Sequence, residues 1–443
     1  MNAATAQLID SFRHSAPYVN AHRGKTFVVM LGGEAIETGQ YRAIINDVAL
    51  LHSLGIRLVL VHGARPQIDS ELAERSLEAG FHNDIRVTDE SSLKVIRQVC
   101  GALQFDITAR LSMGLSNTPM QGAKINVVSG NFVIAQPLGV DDGVDYCLSG
   151  RVRRIDVEGL QSQLDKHCIV LLGPIAASVT GESFNLTAEE VATQVAIRLK
   201  ADKIIGFSQQ QGLLDDEGLV ISEMMPNEAQ AYVSQPQHNI CASAQAFIGA
   251  SVEACRRGVP RCHLISHQED GALLQELFTR EGIGTQIVTE SAERLRRANI
   301  ADIGGVLNLI RPLEEQGILV RRSREQLEME IEQFMVIERD SLIIGCAALY
   351  PFEEDNAGEF ACLVVHPDYR DADRGSLLLQ QIIGQARARG YDRLFALTTR
   401  SIHWFLEQGF SIVEVDALPA KKQQIYNLQR RSKILALELK AIA

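Results

Sequence analysis

Along the first two thirds of the chain, runs of apolar, β-branched residues break off again and again into small-residue turns. KTFVVMLGGEAI (25–36) and IRLVLVHGAR (56–65) are two such runs, and each predicts a buried parallel strand leading into a loop. Between them YRAIINDVALLHSLG has helical spacing and is closed by Gly55. Strand, helix, strand within ~40 residues predicts a right-handed βαβ unit. The alternation continues: VIRQVCGALQFDITARL predicts a helix, KINVVSGNFVIAQPLGVD a hairpin, KHCIVLLGPIAAS a strand, and LTAEEVATQVAIRLKADKIIGFS a helix then a strand. VEACRRG and RCHLISH add a last helix and strand, so residues 25–290 are expected to form one large α/β domain.

After the short charged stretch TESAERLRRA the pattern changes. Two helices (IADIGGVLNLIRPLEEQG and SREQLEMEIEQF) precede the strands MVIERD, LIIGCAALY and GEFACLVVHPD. The helix GSLLLQQIIGQARARG, the strand YDRLFALTT, the helix SIHWFLEQG and a final strand complete a separate α+β unit over 296–443.

Composition narrows the classes. At 443 residues the chain exceeds what a single core usually supports. With 46% apolar and 22% charged residues it reads as globular, and it holds no apolar run of the ~18 residues a membrane helix needs. The start, MNAATAQLIDSFRHS, does not have the pattern of an export signal, so a cytoplasmic protein is expected. A net charge of −12 excludes general nucleic-acid affinity. The eight cysteines form no CxxC pair, which argues against a zinc site or a disulfide framework.

The chemistry concentrates in ACLVVHPDYRDADRGSLLLQQI (361–382), a strand and helix joined by an arginine-glycine loop. Such a loop aims the helix's free N–H groups and positive dipole end at one point, which suits a pyrophosphate. With ADIGGVLNLI before it and IHWFLEQGF after it, the segment resembles the Gcn5-related N-acetyltransferase (GNAT) family. The resemblance makes Arg370, Arg374, Gly375 and Ser376 acetyl-CoA contacts, with backbone N–H groups near Cys362, Leu363 and Val364 holding the oxyanion. Asp373 replaces the family's first loop glycine, so it and Asp371 must point outward or be offset by Arg370 and Arg374.

The likeness extends over the whole chain. IIGCAALYPF, GEFACLVVHPDYR, LFALTTRSIHWFLEQGF and KKQQIYNLQRRSKIL are similar to the family of bacterial N-acetylglutamate synthases, in which an amino acid kinase-like αβα sandwich with a mainly parallel sheet precedes the GNAT domain. That resemblance implies transfer of acetyl from acetyl-CoA, as co-substrate, to the α-amino group of L-glutamate. This is the first step of arginine biosynthesis, and no permanently bound cofactor is expected. Glu359 becomes the general base, through burial or a water relay, and Thr398 the hydroxyl donor to the leaving thiolate. Arg322, Arg430 and Ser432 become the glutamate ligands, with Lys421 or Lys422 nearby and Arg431 as the alternative to Arg430.

The first domain has lost the kinase chemistry. Met30 stands where a working amino acid kinase has lysine, and no lysine lies between Lys203 and Lys421. His62-Gly63-Ala64-Arg65 replaces the His-Gly-Gly-Gly cradle, and Glu189 and Gln209 match the aspartates of the nucleotide site. By the same resemblance such a domain binds L-arginine as feedback inhibitor. TREGIGTQI then supplies Glu281, Gly282 and Gly284, and an N-terminal helix over 1–24, carrying Tyr18, joins subunits into a homo-oligomer, expected to be a hexamer. Two other readings stand beside this one. A kinase with an accessory acetyltransferase is opposed by the missing lysines, and a catalytically dead arginine sensor by the retained Glu359, Thr398 and arginine set.

Overall fold

A computed structural model describes residues 3–77, 80–113, 124–235, 238, 240–279, 281–289, 293–339, 342–369, 373–424, 426 and 432–439. The chain divides into two compact units, Met1–Glu290 and Ser291–Ala443.

In the first unit, β1 (Thr26–Leu31), β2 (Arg57–His62), β3 (Asn126–Val128), β4 (Cys168–Leu172), β5 (Lys203–Ser208), β6 (Glu223–Met224), β7 (Arg261–Ser266) and β8 (Thr285–Val288) share one sheet. Their order is β6-β8-β7-β5-β1-β2-β4-β3. All neighbours run parallel except β7 and β8. Strand alternation divides the apolar residues between two cores. Val28, Met30, Val59 and Val61 face α4 (Ala188–Leu199) and α5 (Ala242–Arg256), whereas Phe27, Val29, Leu58 and Leu60 face α2 (Tyr41–Ser53), α3 (Glu90–Ser112) and α6 (Ala272–Phe278). This is the expected αβα sandwich. Each such side chain contributes about 1.5–3 kcal/mol by its burial, and Leu58→Ala would cost about 2–5 kcal/mol.

One expectation fails here. KINVVSGNFVIAQPLGVD is not a hairpin: Asn126–Val128 is the edge strand β3 of the large sheet, and Val133–Pro137 joins a separate four-stranded sheet. Ser129 and Gly130 let the chain turn from one sheet into the other, and the apolar alternation looks the same either way. Helix α1 (Ala3–His22) docks its C-terminal end on this unit, where His22 Nε2 donates to the Leu277 carbonyl at 2.8 Å and the ring packs edge-on to Phe27 and Phe278.

The second unit is one sheet of seven strands: β9 (Glu293–Arg297), β10 (Phe334–Arg339), β11 (Leu342–Phe352), β12 (Ala357–Val365), β13 (Arg393–Thr398), β14 (Ser411–Val413) and β15 (Lys433–Glu438). In the order β9-β10-β11-β12-β13-β15-β14, every pair is antiparallel except β12 and β13. The stretch read as a charged connector thus supplies an edge strand, so the second unit begins before residue 296. Leu295 packs inward, Arg294 and Arg297 are exposed, and Arg296 is held half-buried by Asp302 and Glu338. Helices α7 (Ile303–Glu315) and α8 (Arg324–Glu330) cover one face; α9 (Arg374–Ala388) and α10 (Ile402–Glu407) cover the other.

Candidate active site

The site of the second unit begins with a defect in its sheet. Strands β12 and β13 pair only from Ala357–Arg393 to Glu359–Phe395 and then diverge, β12 staying with β11 and β13 with β15. Among the described residues no strand pairs with this edge of β12 from Phe360 to Val364, a stretch whose backbone suits pairing with an extended ligand. A bulge marks the same stretch: Cys362 and Leu363 together oppose the single residue Ala347, and Cys362 takes a left-handed φ of 56°. Ala361 and Cys362 therefore fall on one face, and the peptide N–H groups nearby are turned out of the ordinary ladder direction.

Glu359 is the last paired residue before the divergence. It is 8% exposed, lies beside Tyr350 and Phe395 in the ladder, and its Oε2 accepts from Lys422 Nζ at 2.6 Å. Lys422 sits on α11 (Ala420–Gln424), a turn fastened by Leu418 in the apolar cluster of Ala357, Phe395 and Ile434. Lys421 points elsewhere, to exposed Glu354. Arg322 follows on the same face: its Nε donates to the Tyr350 hydroxyl at 3.3 Å and its Nη1 to the Val320 carbonyl at 3.0 Å. Tyr350 in turn donates to Glu330 Oε2 at 2.8 Å, so the Arg322 side chain is held by a strand and a helix at once. Ser432 is buried, and its carbonyl accepts from the Tyr426 hydroxyl at 2.7 Å. Arg430, like the alternative Arg431, lies outside the described residues.

Thr398 ends β13 on the opposite face, toward α10. Its oxygen accepts from the N–H groups of Arg400 at 3.3 Å and Ser401 at 3.0 Å. Both lone pairs are thereby used, which leaves the hydroxyl proton to donate elsewhere. Glu359 and Thr398 thus flank the gap between the diverging strands from its two sides. A group lying in that gap can lose a proton toward one and gain one from the other.

At the start of α9, Gly375 and Ser376 lie on the first turn, and a Cβ at Gly375 would make ordinary contact with Trp404 at 3.4 Å. Arg374 is committed to the protein: its guanidinium grips Glu293 at 2.9 and 2.5 Å and donates to the Tyr369 carbonyl at 2.9 Å. The first turn can therefore offer an anion its backbone N–H groups, while Arg374 orders the loop below. Asp373 is exposed and has φ 37°, a left-handed value that aspartate tolerates in place of glycine. Arg370 and Asp371 lie outside the described residues.

In the first unit, the loop Glu281–Gly284 closes over a carboxylate that the sequence reading missed. Glu281 is exposed; the buried group is Glu276 on α6. Its Oε2 accepts from the N–H groups of Ile283 at 2.8 Å and Gly284 at 2.9 Å, and its Oε1 from His263 Nδ1 at 2.6 Å. A Cβ at Gly282, where φ is 67°, would lie 2.6 Å from Glu276 Oε2, and one at Gly284 would run into the Leu264 carbonyl. His263 Nε2 lies 3.1 Å from Lys203 Nζ, and because an ammonium only donates, the imidazole is neutral with its proton on Nδ1. Burial, helped by Lys203, pushes the His263 pKa down to about 4. Tyr18 lies half-buried against the core that includes Leu273 and Leu277. A lysine opening KIIGFS and a histidine inside RCHLIS were the available signals, since each puts a polar group in an otherwise apolar strand.

The residues matched above to a kinase's phosphoryl site lie elsewhere in this unit. Met30 is packed into the core at 2% exposure. Burial and the charge of Glu34 push the Glu189 carboxyl up, with Arg65 opposing. Among the described residues no helix is long and apolar enough to cross a membrane.

Residues 25–266 match the family model described as Amino acid kinase family, and residues 305–410 match Acetyltransferase (GNAT) family. The chain is 77% identical to the amino-acid acetyltransferase of Shewanella oneidensis, with 98% of each chain covered. It is 64% identical to that of Yersinia enterocolitica, covering 99% of this chain and 100% of the relative. A crystal structure of N-acetylglutamate synthase from Neisseria gonorrhoeae, complexed with coenzyme A and L-arginine, superposes with a TM-score of 0.88 at 38% identity, covering 98% of this chain and 99% of that one. A second structure of the Neisseria enzyme, with coenzyme A and N-acetyl-glutamate, gives 0.62 over the same coverage.

Proposed function

The chain belongs to the amino-acid acetyltransferase family, and from that premise we propose that its second unit moves acetyl from acetyl-CoA to the α-amino group of L-glutamate while its first unit binds L-arginine as feedback inhibitor. The observation that carries the reading is the gap between β12 and β13, with Glu359 on one side and Thr398 on the other. The Neisseria relative holds coenzyme A with either L-arginine or N-acetyl-glutamate, which are the co-substrate remnant, the effector and the product of this reaction.

The pantetheine arm pairs with the open edge of β12, and the pyrophosphate meets the first turn of α9 at Gly375 and Ser376. Arg370 adds charge there; Arg374 acts by holding the loop to Glu293. Arg322, Ser432 and Arg430 take the acceptor's carboxylates. Glu359 removes the ammonium proton, through water where the distance requires it, and the neutral amine attacks the thioester carbon. The oxyanion is met by N–H groups near the Cys362 bulge, from Cys362 to Val364. Collapse breaks the C–S bond; the Thr398 hydroxyl donates a hydrogen bond to the departing thiolate, and the nitrogen's second proton reaches the sulfur through water, so CoA leaves as the thiol and Thr398 keeps its own proton.

In the first unit the effector's guanidinium fits the buried Glu276 carboxylate beneath Gly282 and Gly284, with Tyr18 from α1 beside it. Glu281, being exposed, lies at the rim. The assembly in this reading is a homo-oligomer, a hexamer, joined through α1, and the enzyme works in the cytoplasm at the first step of arginine biosynthesis. The test is release of CoA thiol from acetyl-CoA with L-glutamate, L-aspartate, L-glutamine or L-ornithine, each with and without L-arginine. Turnover with glutamate that arginine suppresses is the expected result. No release with any acceptor sinks the transferase, and turnover indifferent to arginine removes the effector.

A further inference from the structure

Arg322 stands next to a carboxylate that it does not touch. Among the described residues it forms no ion pair, although Glu330 on α8 lies just across the Tyr350 phenol. The hydroxyl accepts from Arg322 Nε at 3.3 Å and donates to Glu330 Oε2 at 2.8 Å, so one oxygen separates the two charges. All three side chains are half-buried. Opposite charges so placed would ordinarily close into a forked guanidinium–carboxylate pair, the strongest contact open to either. The phenol stands in the way. Tyr350 is set by its strand β11, and its ring packs edge-on to buried Phe334 with 6.4 Å between centroids, which fixes it between the two groups.

The rest of Arg322 is tied to its own loop and to α7. Its backbone N–H donates to Glu314 Oε1 at 2.9 Å and its Nη1 to the Val320 carbonyl at 3.0 Å. With Nε and one Nη1 hydrogen taken, the guanidinium keeps N–H groups on Nη1 and Nη2 to offer a carboxylate two at a time. Resting on the assignment of Arg322 to the acceptor's carboxylates, we infer that Tyr350 is a positioning residue that acts as a spacer. It holds Arg322 and Glu330 apart, so that the guanidinium meets the substrate and not the protein's own carboxylate. Without the hydroxyl, Arg322 Nε loses its acceptor and Glu330 its donor, and each becomes the other's nearest partner. Glutamate would then have to displace Glu330 before it could bind.

The experiment is a double-mutant cycle on the full-length enzyme: unsubstituted, Tyr350→Phe, Glu330→Gln and both together, with kcat and the KM values for L-glutamate and acetyl-CoA measured for each. Tyr350→Phe should raise the KM for glutamate about tenfold, with kcat at saturating glutamate and the KM for acetyl-CoA within about twofold. The double variant should recover most of that rise, because an amide in place of the Glu330 carboxylate has no charge with which to hold Arg322. An unchanged KM for glutamate in Tyr350→Phe, a loss confined to kcat, or a double variant no better than Tyr350→Phe overturns the inference. The last result would mean that the hydroxyl only supports Arg322 and holds nothing off. Arg322→Met tests the premise separately: a KM for glutamate equal to that of the unsubstituted enzyme removes Arg322 from the acceptor's ligands, and this inference with it. Failure of the unsubstituted enzyme to acetylate glutamate would instead remove the acceptor assignment as a whole.

Discussion

A carboxylate that strips a proton from an ammonium has to wait where the amine arrives, the role proposed for Glu359 on its strand. The residue is the last in the β12–β13 ladder, so its backbone is fixed at the point where the two strands part. Glu359→Gln keeps the shape and removes the basicity; kcat should fall about 10²–10⁴-fold with the KM for acetyl-CoA little altered. Thr398→Ala should cost less, because a thiolate leaves with little help. Initial rates of CoA thiol release check both, and a Glu359→Gln enzyme of full activity would rule out Glu359 as the base. At the proposed effector site, Glu276→Gln leaves the loop N–H groups an acceptor but removes the charge that a guanidinium needs. L-arginine at concentrations that suppress the unsubstituted enzyme should then leave turnover standing, with the half-inhibitory concentration raised at least about tenfold. Undiminished inhibition would move the effector site away from Glu276. The strands that carry Glu359 and Thr398 were legible as apolar runs, and the family resemblance singled out the two residues within them. Glu276, His263 and Lys203 were not, since partners 13 and 60 residues apart leave no spacing to read.

Elements carry a different kind of information. The order of strands and helices in both units was legible because apolar period and length decide most of it. What escaped was pairing: β3 looked like half a hairpin because its apolar alternation does not name its partner strand, and β9 looked like a connector because Leu295 is its single apolar residue. The misread connector matters to the site. Glu293 on β9 grips Arg374 at the start of α9, and Arg339 of β10 donates to the same carboxylate at 3.3 Å. An edge strand thus holds the start of α9, where the proposed reaction puts the pyrophosphate. Glu293→Gln should loosen the loop before it and raise the KM for acetyl-CoA several-fold, while kcat at saturating acetyl-CoA stays within about twofold. Steady-state kinetics at varied acetyl-CoA checks this. A drop in kcat with KM unmoved would show that Glu293 acts on the chemistry and not on the loop.

Across the whole chain, the first unit holds titratable groups whose burial makes its stability depend on pH in opposing directions. Burial brings the His62 pKa down to about 4, as burial with Lys203 does for His263. An unfolded imidazole titrates near 6.5, so between pH 6.5 and 4 the unfolded chain holds more protons and stability is lost as pH falls. Asp47 works the other way. Burial first, and the charge of Asp270 second, raise its pKa to about 7. The folded state then holds the extra proton between about pH 4 and 7, and stability is lost as pH rises through that window. With two imidazoles against one carboxyl, these three groups together should place the stability maximum near pH 6.5. Asp47→Asn isolates one of these slopes, because the amide keeps the shape and has no charge to bury. At pH 4 the variant should melt with the unsubstituted protein. At pH 8 it should be more stable by about 1–3 kcal/mol, the partly exposed position discounting the full shift. The measurement is calorimetric melting from pH 4 to 8, read on the transition that L-arginine raises, since a ligand of the first unit stabilises that unit's transition. A gain of equal size at both ends of the range would mean that Asp47 is ionised in the fold throughout, and that the crowding of Asp47 and Asp270 carries no proton.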